Sequence, residues 1–212
     1  MEALAHTAVT FSTGDDVVTY LKGQHRQIRT MFDEVSSSSG KAQATAFLAL
    51  RGMLAIHEAA EEAIIHPIAR IKLTDGGAIV DKRLSEESQC RLTLAALEEM
   101  DLGAPIFTEN LQRLKDNVSA HAAAEEREEF AMLVNIIDPV WLVRMRMAAE
   151  MAEAVAPTRA PSATEDRAPF LFGSFLAMLG RAKDALSAAL TTVNPSSAPV
   201  HAQGPTPTSP RS

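Results

Sequence analysis

The sequence predicts an all-α protein built around an up-down-up-down four-helix bundle. Apolar residues recur at alternating spacings of three and four over four long segments, as on one face of a helix. Short segments rich in Gly, Ser or Pro separate them, and such connections place consecutive helices side by side in opposite directions. The chain has one Trp and one Tyr among 46% hydrophobic residues, a composition that favours helices over β-sandwiches.

Capping and helix-breaking residues delimit the helices of this bundle. Asp15 or Asp16 can cap the first helix, and the serines that follow Val35 end it. We expect the bundle over residues 15–156, after an N-terminal arm of residues 1–14. The predicted helices are residues 15–35, 41–72, 81–100, 105–137 and a shorter fifth helix over 138–156, with Pro139 in its first turn.

The composition changes twice beyond residue 156. Residues 157–169 form a Pro-rich linker, residues 170–192 an amphipathic helix, and residues 193–212 a Pro/Ser/Thr-rich tail that we expect to be disordered. The apolar stripe of this helix consists of Phe172, Phe175, Leu176, Leu179, Leu186 and Leu190. The stripe must be buried on the bundle's own surface, on a second copy of the chain or on a regulatory partner. Only two cations lie near its polar face, which argues against an interfacial membrane helix.

Charge and cysteine content exclude several classes of protein. The formal net charge is −7 and no basic cluster is present, so nucleic acid is not an expected partner. A single cysteine, Cys90, excludes an internal disulfide and a zinc site built from several thiolates. The sequence has no long uncharged apolar stretch and no signal peptide, and we therefore expect a cytoplasmic protein.

Ionisable residues interrupt the apolar seams of the four long helices. The second helix presents Phe47, Leu50, Leu54, His57, Glu61, Ile64, Ile68 and Ile71, and the fourth presents Leu114, Val118, His121, Glu125 and Met132. The interrupting groups of all four are His25, His57, Glu61, Glu87, His121 and Glu125. An unpaired buried carboxylate or imidazole is costly, so these groups need a shared partner, and a metal is the simplest. A metal-free network of buried polar groups is the alternative.

The spacing of these groups predicts a site for two metals. A His-x-x-x-Glu step starts at His57 and again, 64 residues later, at His121. Its two residues lie about 6 Å apart on one helix face, so the imidazole can bind one metal while the carboxylate bridges to a second. His25 and Glu87, 62 residues apart, would add one ligand each, with Glu86 as the alternative to Glu87. This mixed donor set suits iron, manganese or zinc, and bridging carboxylates in a bundle favour iron.

Other ionisable residues near these motifs are interpreted as lying at the surface. His66 follows His57 by nine residues, which is about 180° around a regular helix. Five glutamates are interpreted as a solvated acidic face, although the last two could approach the core: Glu58, Glu62, Glu126, Glu128 and Glu129. Cys90 is interpreted as a small core residue, within one turn of the site if Glu87 faces the metals.

With these motifs the sequence resembles the hemerythrin HHE cation-binding family over about residues 15–156. The order of motifs is that of the family: a single histidine, a His-x-x-x-Glu-Glu sequence followed by Pro, a third-helix ligand, and a second His-x-x-x-Glu-Glu sequence. In this chain they are His25, HEAAEEAIIHP over residues 57–67, Glu87, and HAAAEEREEF over residues 121–130.

The resemblance implies a four-helix bundle that holds two iron ions bridged by an oxo or hydroxo group. Related proteins bind oxygen, sense oxygen or nitric oxide, or decompose peroxide. By position, the implied ligands are the imidazoles of His25, His57 and His121, the bridging carboxylates of Glu61 and Glu125, and Glu87 as a terminal or bridging carboxylate. No dedicated nucleophile is visible, so any catalysis would be the chemistry of the metals.

Two departures from the family pattern bear on function. Oxygen carriers of the family have histidines one turn apart on the third helix, where this chain has Glu87 and Arg91. The second His step ends in Glu125, where the carriers have a more distant Asp. The added anionic donors favour Fe(III), which argues against simple reversible oxygen carriage. A non-enzymatic iron store or sensor and a metal-free structural bundle are the alternative functions.

Overall fold

The computed structural model describes residues 16–155 and 174–193, and every regular element in these two ranges is helical. The α-helices are α1 Val17–Ser37, α2 Gly40–Ala60, α3 His66–Lys72, α4 Gly76–Glu98, α5 Pro105–Glu125, α6 Ala131–Ile136, α7 Pro139–Val155 and α8 Phe175–Val193. Two π-helical segments, Glu61–Ile65 and Glu126–Phe130, join α2 to α3 and α5 to α6. The predicted N-terminal arm, the Pro-rich linker, Phe172 of the predicted stripe and the C-terminal tail beyond Val193 lie outside the described residues, and Val193 itself is the last residue of α8.

Four long helical segments form the predicted bundle. α1 packs against α2 and α5, and α4 packs against α3 and α5. The connections between these segments are short, so neighbouring helices run in opposite directions. The prediction of an all-α bundle with additional C-terminal helices is confirmed.

The helix ends follow from local capping, with one exception. The Asp16 carboxylate accepts a hydrogen bond from the N–H of Thr19 at 2.8 Å, so Asp16 caps α1. α4 begins five residues earlier than predicted, because Gly-Gly in a sequence usually indicates a turn. Asp75 has a φ of 57°, and a Cβ on Gly76 would lie 2.1 Å from the carbonyl oxygen of Ala69. Gly76 therefore allows α4 to begin in close contact with α3.

The π segments change the register of the residues that follow them. A π turn takes up one extra residue, so later positions are rotated by about 100° relative to a regular helix. After the first segment, Ile71 is 79% exposed and Ala69 is buried. After the second, Met132 is exposed and Leu133 is buried. The predicted seams through Ile71 and Met132 are therefore wrong, because they extend one helical period across both π turns.

Two apolar clusters pack along the bundle and leave a polar layer between them. One cluster includes Ile28, Phe32, Leu50, Leu54, Leu94, Leu97, Phe107 and Leu111. The other includes Val17, Leu21, Ile64, Ile65, Val80, Phe130, Leu133 and Leu142. Along each long helix, the buried residues between the two clusters include ionisable side chains. The polar layer is therefore covered by apolar side chains on both sides.

The two C-terminal helices pack onto the outside of the bundle. α7 contacts α1, and α8 contacts α2 and α7. Phe175, Met178 and Leu179 of α8 are buried in the same apolar cluster as Phe32. These contacts agree with burial of the amphipathic stripe on the bundle's own surface, although Leu176 of that stripe is 61% exposed. No helix in the two described ranges is long and apolar enough to cross a membrane.

Phe175 anchors α8, and its removal should weaken the fold. Phe175→Ala should lower the free energy of unfolding by about 3 kcal/mol, because it opens a cavity at a buried side chain. The neighbouring exposed residue provides the matched control, and Leu176→Ala should change stability by less than about 0.5 kcal/mol. Urea denaturation of the full chain measures both, and equal effects would show that α8 is not buried through Phe175.

Candidate metal centre

The residues predicted to bind metal meet in the polar layer between the two apolar clusters. They are His25 of α1, His57 of α2, Glu61 at the start of the first π segment, Glu87 of α4, and His121 and Glu125 of α5. All of these side chains are buried, and the carboxylates of Glu61 and Glu125 are fully buried. Each of the four long helical segments therefore contributes at least one ionisable group to a single layer.

The carboxylates of Glu61 and Glu125 lie among the three imidazoles. Nε2 of His57 lies 3.0 Å from Oε1 of Glu61, and Nε2 of His121 lies 3.2 Å from Oε1 of Glu125. Nε2 of His25 is close to both carboxylates, at 3.6 Å from Glu61 and 3.4 Å from Glu125. The two His-x-x-x-Glu steps thus converge on one pair of carboxylates.

These two carboxylates lack the hydrogen bonds that buried carboxylates need. Among the described residues, neither oxygen of Glu61 or of Glu125 has a hydrogen-bond partner, and Nε2 of His25 has none. The imidazoles lie at ion-pair distance but without hydrogen-bond geometry. Unsatisfied buried groups of this kind are costly, whereas a cation would satisfy all of them. Donor atoms of these three residues and of His57 lie within 4.8 Å of one another, so the arrangement fits a metal.

Three hydrogen bonds outside the layer orient the imidazoles, and one of them joins Nδ1 of His25 to Oε1 of Glu126 at 2.9 Å. Nδ1 of His57 lies 3.0 Å from Oε1 of Gln24, and Nδ1 of His121 lies 3.0 Å from Oε2 of Glu86. Because each of these oxygens accepts a hydrogen bond from Nδ1–H, Nε2 is directed at the carboxylates, which is the orientation of a metal ligand. Gln24 and Glu86 are 62 residues apart, so the internal repeat of the candidate ligands extends to their partners.

Glu87, and not Glu86, is the glutamate of α4 that lies in the layer, as the apolar register of this helix predicts. Glu87 is 2% exposed, whereas Glu86 is half-buried and forms an ion pair with Arg83. Donor atoms of Glu87, Glu61 and His121 lie within 4.8 Å of one another and make a second group that could hold a metal. The structure therefore brings all the predicted residues together.

His66 is buried, and its interpretation as a surface residue is wrong. It is 3% exposed, and its Nε2 lies 2.7 Å from Oε1 of Glu87. In a regular helix His66 would lie about 140° from Glu61, but the π segment takes up one residue and brings it to about 40°. Because a π turn has no clear sequence signal, periodicity alone places His66 on the wrong face.

Arg91 of α4 neutralises acidic residues on one side of the layer. It donates hydrogen bonds to Glu58 at 2.7 Å, to Glu87 at 2.8 Å and to Glu62. Glu58 is buried, so its interpretation as part of a solvated face is wrong. Burial raises the pKa of Glu58 to about 8, although Arg91 acts in the opposite direction.

Arg83, two turns before Arg91 in α4, neutralises acidic residues on the other side of the layer and is fully buried. It donates hydrogen bonds to Glu129 at 3.1 Å, to Glu86 at 2.6 Å and to Glu128. Glu129 is fully buried, so its interpretation as part of a solvated face is wrong and the alternative, an approach to the core, is correct. Arg83 was not identified from the sequence, although it lies one turn before Glu87 and therefore on the same helix face.

When no metal is present, protonated imidazoles balance the negative charge of the buried carboxylates. Burial disfavours a charged imidazole, but Glu125 and Glu61 outweigh it and raise the pKa of His25 to about 10 and that of His121 to about 12. Burial also disfavours a charged Glu61, but His57 and the two other imidazoles hold its pKa well below the usual range. A metal would displace these protons, so metal binding should release protons.

The pKa shifts predict how the stability of the metal-free protein depends on pH. The raised pKa of His121 means that the folded chain binds more protons than the unfolded chain between about pH 6.5 and pH 12. This stabilisation is complete below the lower limit and is lost as the pH rises, so the free energy of unfolding should fall between pH 7 and pH 10. Urea denaturation with a chelator present measures the slope, which should be smaller in His121→Gln. Parallel curves for the two proteins would contradict the charge assignment.

Comparison with known proteins identifies the family of this chain. The sequence profile of the hemerythrin HHE cation binding domain matches residues 16–133, which is more than half of the 212-residue chain. The crystal structure of a hemerythrin HHE cation binding domain-containing protein from Mycobacterium kansasii aligns with a TM-score of 0.49 and 17% identity, covering 85% of this chain and 99% of that one. No curated protein sequence matches the chain. The matched residues include every member of the predicted site, and the chain belongs to the hemerythrin HHE cation-binding domain family.

Proposed function

We propose that this helical metal-binding module holds two iron ions and handles or senses oxygen, peroxide or nitric oxide. The observation that supports the proposal best is the pair of fully buried carboxylates, Glu61 and Glu125, whose four oxygens have no hydrogen bond among the described residues. Each carboxylate is close to an imidazole of its own helix and to His25. Carboxylates with both oxygens available can bridge two cations, as in other helical di-iron proteins.

The donor set favours iron over softer metals. Imidazoles and carboxylates together suit iron, manganese or zinc, and bridging carboxylates are typical of di-iron bundles. When bound, two iron ions would supply the redox chemistry and the binding of small oxygen or nitrogen ligands. Carboxylates that replace imidazoles of the oxygen carriers would stabilise Fe(III), so we infer redox turnover or sensing rather than reversible oxygen carriage.

A small cavity lies within the polar layer itself. Its volume is about 20 Å³, close to the space that a single water molecule needs. Its apolar lining is Leu54, Cys90, Val118 and Ala122, and its polar lining is Glu58 and five of the candidate ligands, His25, His57, Glu61, Glu87 and His121. The cavity therefore lies where the metals would bind, and it leaves no room for an organic substrate.

A hydrogen-bonded chain connects the layer to α7 and holds one imidazole in place. Nδ1 of His57 binds Gln24, whose Nε2 donates to the hydroxyl oxygen of Tyr20 at 3.0 Å. The Tyr20 hydroxyl in turn donates to Glu153. These groups fix the orientation of the His57 ring.

Iron loading of the full chain tests the proposal. After anaerobic loading with Fe(II), exposure to air and desalting, the protein should retain about two iron atoms and absorb in the near-ultraviolet through oxo-to-iron charge transfer. Glu61→Gln should retain about one iron or none, because a neutral amide does not bridge two cations. Glu109→Gln, at an exposed position of α5, is the matched control and should behave like the wild type.

Other metal contents would contradict the proposal. A single tightly held zinc ion in the loaded wild type would exclude the dinuclear iron centre. Retention of no metal by the wild type would favour the metal-free structural bundle. Equal iron retention in Glu61→Gln and Glu109→Gln would show that Glu61 is not a bridging ligand.

A metal sensor that signals through α8 is the second candidate, and one contact favours it. Lys183 of α8 forms an ion pair with Glu62, the residue after the candidate ligand Glu61. Glu62 also binds Arg91, which holds Glu87. If metal state alters these contacts, hydrogen exchange in α8 should change on iron loading, and the change should be lost in Lys183→Gln. Unchanged exchange in α8 of the wild type would exclude this role.

A further inference from the structure

The internal repeat shows where the two halves of the site differ. α1 and α4 are related by 62 positions, and the two helices with π segments are related by 64. At three buried positions beside the layer, an apolar residue in one half corresponds to a polar residue in the other. These pairs are Leu21 with Arg83, Ile65 with Glu129, and Phe130 with His66. One side of the layer is therefore apolar, and the equivalent side has an additional set of ionisable groups.

Each side of the layer has an imidazole in contact with one neighbouring side chain, but the imidazole occupies opposite positions of the repeat on the two sides. On the apolar side, the ring of Phe130 stacks on His25 with 5.7 Å between centroids and 7° between planes. On the polar side, the corresponding residues are His66 and Glu87, whose Nε2 and Oε1 lie 2.7 Å apart. An imidazole is thus present on both sides of the layer, but on the polar side it comes from α3 and the carboxylate comes from α4.

His66 and Glu129 each have one donor atom without a hydrogen bond. Nε2 of His66 is bound to Glu87, whereas Nδ1 lies 3.4 Å from Oε2 of Glu129 without hydrogen-bond geometry. Oε1 of Glu129 accepts from Arg83 at 3.1 Å, whereas Oε2 has no hydrogen bond within the described part of the chain. Donor atoms of His66, Glu129 and Glu125 all lie within 4.8 Å of one another.

We infer that Nδ1 of His66 and Oε2 of Glu129 bind the second metal, with Glu125 shared between both metals. The inference rests on the proposed dinuclear function and gives Glu87 a different role from the one predicted for it. Glu87 is a positioning residue, because its Oε1 accepts the hydrogen bond from Nε2–H of His66 and leaves Nδ1 as the donor atom. Carboxylates commonly orient metal-binding imidazoles in this way. Arg83 orients Glu129 correspondingly.

The competing interpretation is a protonated His66 that only links Glu87 and Glu129. Such an imidazolium would make two short charge-assisted hydrogen bonds, each of about 2.8 Å. The contact to Glu87 has this length, but the contact to Glu129 is 3.4 Å and lacks the geometry. The interpretation also leaves Nδ1 of His66 and Oε2 of Glu129 without a hydrogen bond, whereas a metal bound between His66, Glu129 and Glu125 would satisfy both atoms.

Binding of Co²⁺ to the full chain tests the inference. In anaerobic equilibrium dialysis with elemental analysis, the wild type should bind about two Co²⁺ ions. His66→Gln should bind about one, with the affinity of the second position lowered by roughly 100-fold or more. His66→Phe copies the residue at the equivalent position of the other half, so it preserves packing and should give the same result. Circular dichroism shows that each variant is folded.

Glu87→Gln separates a positioning residue from a ligand. Glutamine keeps an oxygen that accepts the hydrogen bond from His66, so this variant should still bind about two Co²⁺ ions, the second roughly 10-fold more weakly. Two Co²⁺ ions of unchanged affinity in both His66 variants would overturn the inference and leave the dinuclear centre standing. Absence of Co²⁺ from the wild type would instead refute the proposed centre, and the inference with it.

A measurement on the wild type needs no substitution. Anomalous scattering from crystals grown with Co²⁺ should show a second peak at a bonding distance of roughly 2.1 Å from Nδ1 of His66. A second peak bound by Glu87 and remote from His66 would overturn the inference even if the His66 variants failed to fold.

Discussion

Burial of two carboxylates between apolar clusters is the constraint on which the rest of the structure depends. Glu61 and Glu125 have no access to water, and nothing in the described ranges donates a hydrogen bond to them. Their charge must therefore be balanced inside the bundle, because unpaired buried charge is incompatible with a stable fold. In the metal-free chain, protonated His25 and His121 supply the balance, and bound cations would replace those protons. Four helices are needed because no single helix can present all these groups to one point.

The two arginines of α4 that adjoin Glu87 add positive charge around the central carboxylates and imidazoles. Arg83 and Arg91 lie one turn before and one turn after Glu87, and between them they neutralise glutamates from the helices on both sides. They cannot bind a metal, but they allow more carboxylates to be buried than the imidazoles alone could balance. α4 therefore contributes mainly electrostatic support, whereas α2 and α5 contribute the two His-x-x-x-Glu steps.

The sequence predicted the inner part of the site because the relevant stretches are regular helix. His25, His57, His121 and the two central carboxylates lie at or before the π segments, where a period of 3.6 residues still applies. Beyond those segments the period fails, and with it the placement of residues such as His66 and Leu133.

A second group of residues could not be predicted for another reason. Glu58 and Arg83 are buried only because each has a partner of opposite charge on a different helix. Pairing of this kind depends on tertiary contacts and has no local signal. The early start of α4 likewise depends on the close approach of Gly76 to Ala69.

The π segments also have a consequence for insertions and deletions. Deletion of one residue inside a regular helix rotates all later residues of that helix by about 100°, so the side chains that packed in the core no longer face it. A π turn already contains one residue more than a regular helix needs. Deletion of exposed Ala63 in the first segment, or of exposed Arg127 in the second, would convert each segment to regular helix while leaving His66 and Leu133 on the face they now occupy. Within the described helices, each π segment is thus a place where deletion of a single residue is structurally tolerable.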